Sequence, residues 1–243
     1  MARLSRESKA SRTPAPKLRK PAKAVGDRSA GRRRRAGGET PYHHGDLHEA
    51  LLKAAVQVLE RDGLPGLTLR AVAREANVSH AAPTHHFGDL TGLLSELAAI
   101  GFRQFGAAMA DARASAATLP ERGTASAKAY IAYAQAHPGM YGLMFRSERL
   151  DYSRPSLREA SEASFAGLAR GVGASRQEEI SEESLSLNQA AAIASAWSLV
   201  HGFTMLLLDG RLCKILDLSP EGTTAEMLLT AMLKVNAGRP PAP

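Results

Sequence analysis

Between Ser79 and Phe87 the chain reads Ser-His-Ala-Ala-Pro-Thr-His-His-Phe. A helix from His80 to about His86, capped by Ser79 and closed into a core by Phe87, leaves His80, Ala81, Thr84 and His85 facing outward. Short hydroxyl and imidazole groups without formal charge suit hydrogen bonding to base edges in a major groove. The chain offers little for other chemistry. It has no Gly-rich phosphate loop and no nucleophile with a local base signature, so an enzyme would need residues that only folding brings together. Adjacent His43 and His44 have two readings, metal ligands or polar groups near a DNA backbone, and lack the nearby carboxylates that favour the first.

The elements that must hold this face begin at Thr68, an N-cap residue followed by Leu69, Val72, Ala73 and Ala76 at helical spacing. Asn77 tolerates the left-handed conformation of a sharp turn, Val78 is expected as a buried pin, and small Ala73 permits a close helix crossing. Pro83 is expected at the end of the first turn of the next helix, forfeiting only the bond to the cap carbonyl. The pair is two short helices joined by a tight turn, a form that helical hairpins of ordinary globular domains share. Upstream, Leu47, Leu51, Ala54, Val58 and Leu59 predict another helix. Asp46 and Glu49 fit an acidic capping box at its start, and Gly63 stands at its C-cap.

Tyr42-His43-His44-Gly45-Asp46-Leu47, the pair at 68–87 and Gly88-Asp89-Leu90-Thr91-Gly92-Leu93-Leu94 together resemble the DNA-binding end of the tetracycline-repressor-like (TetR) transcription regulators. The resemblance includes order and spacing: Gly-Leu-Pro-Gly-Leu-Thr before the second helix, Val-Ser in the turn, His-Phe about eight residues on. A second match, Ala134 to Phe145 with His137-Pro138 inside it and Trp197-Ser-Leu-Val-His201-Gly202, looks like the signatures of a TetR subgroup named for its Trp-His-Gly helix. Thr84 stands where the family usually has a phosphate-touching tyrosine, and Thr91 where a lysine is common. The resemblance implies a DNA-facing set of Tyr42, His43, His44, Thr68, Arg70, Ser79, His80, Ala81, Ala82, Thr84, His85, His86 and Thr91.

Charge is divided along the chain. Of 31 Lys and Arg, 13 fall within residues 1–40 beside only Glu7, Asp27 and Glu39, while the remainder is slightly acidic. An arm carrying Arg32 to Arg35 among Pro, Ser, Ala and Gly is too poor in apolar residues to fold, and nucleic acid is its expected partner. A solubilising tail or a mis-assigned start would share that composition. No apolar run suited to a secretory signal follows the basic start. The single Cys213 excludes an internal disulfide, favours a reducing cytoplasm, and is expected as a small buried side chain.

Downstream, Leu90 to about Ala114 predicts a long helix with Leu93, Leu94, Leu97, Ile100, Phe105 and Met109 toward a core. A further helix carries Tyr130, Ile131, Tyr133 and Ala134 before Pro138, followed by Met140, Tyr141, Leu143, Met144 and Phe145. Met and aromatic residues at this spacing serve either as core or as a binding box. Residues 174–183 read as a solvated connection after Gly171 and Gly173. Ser184 to Leu208 carries no formal charge and has membrane-span length, yet its scattered polar residues favour a helix buried on most sides, with Glu221 to Val235 as partner. Trp197 and His201 share a helical face; His201 either satisfies a core partner or lines a cavity.

These readings converge on an all-α chain: a basic arm at 1–40, a helix-turn-helix DNA-binding unit at 41–90, a helical ligand-binding and dimerisation bundle at 91–237, and a tail at 238–243. The resemblance implies a homodimeric transcriptional regulator that binds a near-palindromic DNA operator and answers to a small effector, with no cofactor, metal or membrane. A non-specific architectural DNA binder is the alternative. Lys and Arg look sparse on the pocket helices, so the expected effector is largely apolar, in a cavity lined by some of Phe105, Met109, Tyr133, Met144, Phe145, Trp197 and His201, with the histidine or tyrosine hydroxyls orienting one polar group.

Overall fold

Capping and turn chemistry at the amino-terminal end fix how the first helices meet. The computed structural model describes residues 44–145, 147–181 and 183–237, all helix, turn and loop with no strand among them. Tyr42, His43, the basic arm and the carboxy-terminal tail lie outside the described residues. Helix α1 spans His44–Gly66, with a break at Gly63, whose φ of 68° requires a residue without a Cβ penalty. The start expected at Leu47 moves to His44, so Asp46 lies in the first turn and favours the helix terminus by charge instead of capping it.

Helix α2 spans Leu69–Glu75, and Thr68 Oγ1 accepts the Ala71 N–H at 3.1 Å. Asn77 adopts φ 53°; its N–H donates to the Arg74 carbonyl, and the Val78 N–H reaches back to Ala73. That pair of bonds is a Schellman closure, and it leaves Val78 half-buried against the core where full burial was expected. Helix α3 spans Ala82–Phe87, two residues later than expected. A turn comes first, in which Ser79 Oγ accepts from the Ala81 N–H at 3.3 Å and the Ser79 carbonyl from the Ala82 N–H at 3.0 Å. Pro83 thereby sits in the first turn, where an N–H would have no intrahelical partner.

Helix α4, Leu90–Ala114, matches its expected bounds. It is followed by α5 (Leu119–Ala136), α6 (Pro138–Met144), a 3-10 turn at Ser147–Arg149, and α7 (Pro155–Arg176). The connection expected after Gly173 starts later, since α7 runs through both glycines and ends on Gln177 in the left-handed conformation. Burial of Ala166, Ala169 and Val172 at helical spacing outweighs the roughly 1 kcal/mol that an interior glycine costs. Helices α8 (Leu187–Leu208), α9 (Cys213–Asp217) and α10 (Ala225–Ala237) complete the chain. Cys213 is exposed, contrary to expectation: Gly210, at φ 68°, turns the chain outward, and neighbouring Leu212 takes the buried position. Helix α10 begins after Gly222, with Thr224 Oγ1 accepting the Met227 N–H.

One buried cluster runs without interruption from Leu51, Val58 and Val72 through Phe87, Leu93 and Leu97 to Tyr130, Tyr141, Met144 and Leu157. The short helices therefore share their core with the bundle. The tightest point is the α3–α4 junction, where Asp89 caps α4 by accepting the Gly92 N–H at 2.8 Å. A Cβ on Gly92 would stand 2.0 Å from the Phe87 carbonyl oxygen. Gly92→Ala is expected to destabilise the fold by about 1–3 kcal/mol, because backbone must give way. Urea unfolding is the check, and an unchanged midpoint would show that the junction has slack.

Candidate functional site

On the α2–α3 unit, His80, Ala81, Thr84 and His85 are all exposed while Pro83 and Phe87 are buried. The outward face is thus the one expected, free of formal charge. Ser79, Arg70 and Thr91 are also exposed. Thr68 is exposed, but its hydroxyl is committed to the α2 cap. Ala82 is half-buried, and half-buried His86 packs its ring 5.9 Å from that of His48 on α1. The unit is braced by Arg61, whose Nη1 meets Glu75 at 2.9 Å while its other nitrogens hold Asp62. His44 opens α1; its side chain is outside the description.

A residue that sequence reasoning did not find joins this unit to the bundle. Arg154, at the N-cap of α7, donates from Nη2 to the Phe87 carbonyl at 3.0 Å, which is the last residue of α3. Its Nη1 lies 4.0 Å from Glu96 on α4, and its Nε is buried without a hydrogen bond, 3.7 Å from Asp151. Nothing in the local sequence signals this contact, which spans 67 residues.

Behind the junction, α4, α5, α7, α8 and α10 line a cavity of about 2100 Å³ that is open on one side. Phe105, Met109, Met144, Phe145 and Trp197 line it as expected, joined by Tyr130 and Phe102. Tyr133 and His201 do not. The Tyr133 hydroxyl donates to the Gly101 carbonyl at 3.3 Å, its ring packs edge-on to Phe105, and burial pushes its pKa up to about 12. His201 stands one layer back. Its Nδ1 is 2.9 Å from the hydroxyls of both Tyr130 and Tyr141, which are 3.2 Å from each other. Burial lowers the His201 pKa, so the ring is held neutral, with its Nδ1 in hydrogen-bond reach of both hydroxyls. The two aromatic residues of the Trp-x-x-x-His pair thus divide: Trp197 faces the cavity, and His201 ties α8 to α5 and α6.

The cavity wall is not poor in charge, as had been expected. Arg103, Arg113, Arg122, Lys128, Arg170, Arg176 and Lys234 line it, against Glu121. Helical periodicity within single segments concealed this, because the cations come from different helices and converge only when these pack.

The family model for bacterial regulatory proteins of the tetR family matches residues 51–97, and that for tetracyclin repressor-like C-terminal domains matches residues 124–232. The chain belongs to the TetR family. The HTH-type transcriptional regulator BetI of Burkholderia mallei (strain NCTC 10229) is 39% identical over 70 residues, 29% of this chain and 36% of BetI. The match thus spans about a third of that TetR-type relative's length. A Rhodococcus sp. RHA1 protein of unknown function is 33% identical with a TM-score of 0.64, covering 81% of this chain and 96% of its own. The regulator FadR from Bacillus subtilis, solved in complex with stearoyl-CoA, shares the TetR fold at 15% identity, with a TM-score of 0.57 over 79% of this chain and 98% of FadR.

Protonating His201 in the folded chain would put a charge into a buried aromatic setting, so the unfolded chain takes that proton more readily. The stability of the neutral ring is fully present above about pH 6.5 and is lost as pH falls toward the depressed folded value. Melting temperature is expected to drop between about pH 7.5 and pH 5.5, more steeply in the wild type than in His201→Gln. Identical slopes in the two proteins would remove His201 from this role.

Proposed function

We propose that this TetR-family protein is a homodimeric, ligand-responsive repressor that acts in the bacterial cytoplasm on a near-palindromic DNA operator. In this reading residues 41–90 read DNA, with His80, Ala81, Thr84 and His85 at base edges. Residues 91–237 bind a small molecule and dimerise. The Trp197-x-x-x-His201-Gly202 helix supports membership of the Trp-His-Gly subgroup. The arm at 1–40 adds phosphate contacts that raise affinity without sequence preference.

The observation that carries the reading is the bond from Arg154 to the Phe87 carbonyl, because it fastens a cavity-lining helix to the recognition helix. An effector that prefers one α7 position then biases the placement of α3 through its differential affinity. The dimer is supported by α8. Only Ile193, Phe203 and Thr204 are fully buried in it, and Ala191, Ala194, Ser198, Met205 and Leu206 lie along one exposed half. By length and composition α8 could also cross a membrane. Its His201 bonds and its small residues instead favour a second copy of the same helix, with α10 alongside.

The test uses an operator selected with the protein from random DNA. Thr84→Ala or His85→Ala is expected to cost about 1–3 kcal/mol on that operator with little change on random DNA. In the same assay Leu206→Arg is expected to give a monomer that loses the paired half-sites, since Leu206 is 44% exposed in the single chain and would be buried in the dimer. Equal losses on all DNA, or a Leu206→Arg protein that stays a folded, operator-binding dimer, would contradict the reading.

A further inference from the structure

Arg113 occupies the last turn of α4 and is half-buried in the cavity wall. Its guanidinium lies across the Gly167–Gly171 face of α7, with Nη2 3.8 Å and Nη1 3.6 Å from where side chains at those positions would begin. Its one hydrogen bond is long, 3.4 Å from Nη1 to Ser126 Oγ on α5. Two other cations of the wall are paired with carboxylates, Lys128 with Glu226 at 3.5 Å and Arg176 with Glu178. Arg113 has no carboxylate partner among the described residues, and the charge of another cation, Arg170, acts on it. Burial and that neighbour both press its pKa down. A guanidinium fork that is partly desolvated, faces a cavity and lacks a carboxylate is a site short of an anion.

We infer that Arg113 is the anion-binding end of the cavity, and that the effector is an amphipathic anion. Its carboxylate or phosphate meets Arg113, and its apolar body lies against Phe105, Met144, Phe145 and Trp197. The inference rests on the cavity being the effector site of the proposed regulator, and it replaces the largely apolar effector with one that carries a charged head. It also gives the ligand a handle on the signal. Arg113 meets α7 at Gly167, thirteen residues and about 20 Å of helical rise from the Arg154 end that holds Phe87. An anion drawing α4 and α7 together at Gly167–Gly171 therefore acts on the same rod.

Trp197 is the chain's single tryptophan and lines the cavity, so its fluorescence reports occupancy directly. The full chain is titrated with three probes of equal chain length below micelle formation: dodecanoate, dodecyl phosphate and dodecan-1-ol. At least one anion is expected to bind about tenfold or more tightly than the alcohol. Arg113→Gln should abolish that preference and leave the alcohol's affinity unchanged, while Arg113→Lys should retain part of it. Whichever anion wins identifies carboxylate or phosphate as the head. Equal binding of all three probes, a preference that survives in Arg113→Gln, or no binding by any probe would overturn the inference. Operator affinity without probe is measured alongside: its absence counts against the regulator reading, whereas normal operator binding with no anion preference counts against the Arg113 site alone.

Discussion

The arrangement depends on the point where the Phe87 carbonyl meets Gly92 and Arg154. The last turn of α3 and the first turn of α4 approach so closely that only a residue without a Cβ fits at 92. Into the same space comes a guanidinium from α7, donating to the carbonyl at 3.0 Å. Its Nε remains buried without a hydrogen bond, which costs free energy and persists because Glu96 and Asp151 supply nearby negative charge. Helix α3, only six residues long, has little stability of its own. Its position is set by this junction and by Phe87 beneath it.

From the junction inward the core is continuous, so no soft layer separates the helix-turn-helix unit from the bundle. Close-packed interiors transmit displacement, and α4 and α7 reach from the junction to the cavity as uninterrupted helices. The Tyr130–Tyr141–His201 cluster does a different job. It joins α5, α6 and α8 through buried polar groups that satisfy one another, fixing the back wall against which an occupant of the cavity would press. Burial raises the Tyr141 pKa to about 12 and lowers that of His201, so both stay neutral near pH 7 and the cluster carries no charge of its own.

Local chemistry made the amino-terminal unit legible in the sequence. Thr68, Asn77 and Phe87 act through bonds and turns within a few residues, and the exposed set His80, Ala81, Thr84 and His85 follows from one helical period. The offsets that remained, His44 for Leu47 and Ala82 for His80, come from turns that continue or precede a helix without a distinctive residue. Cavity walls were legible in part. Phe105, Met109, Met144, Phe145 and Trp197 betray themselves as apolar residues at helical spacing, but Tyr133 and His201 have the same spacing and point to other partners. Arg113 and Arg154 could not be found, since each acquires its meaning from a contact across many residues of chain, to Gly167 and Gly171 or to Phe87. Helix α7 was hidden by its glycines, which weaken helix propensity yet admit the Arg113 side chain.

Helix α7 holds α3 in place through Arg154. Hydrogen exchange of the backbone amides in α3, among them Gly88 N–H bonded to the Thr84 carbonyl, reads this directly. In Arg154→Met the account predicts exchange across residues 84–88 that is faster by about tenfold or more, with α8 unaffected. Unchanged protection of α3 in that variant would contradict it.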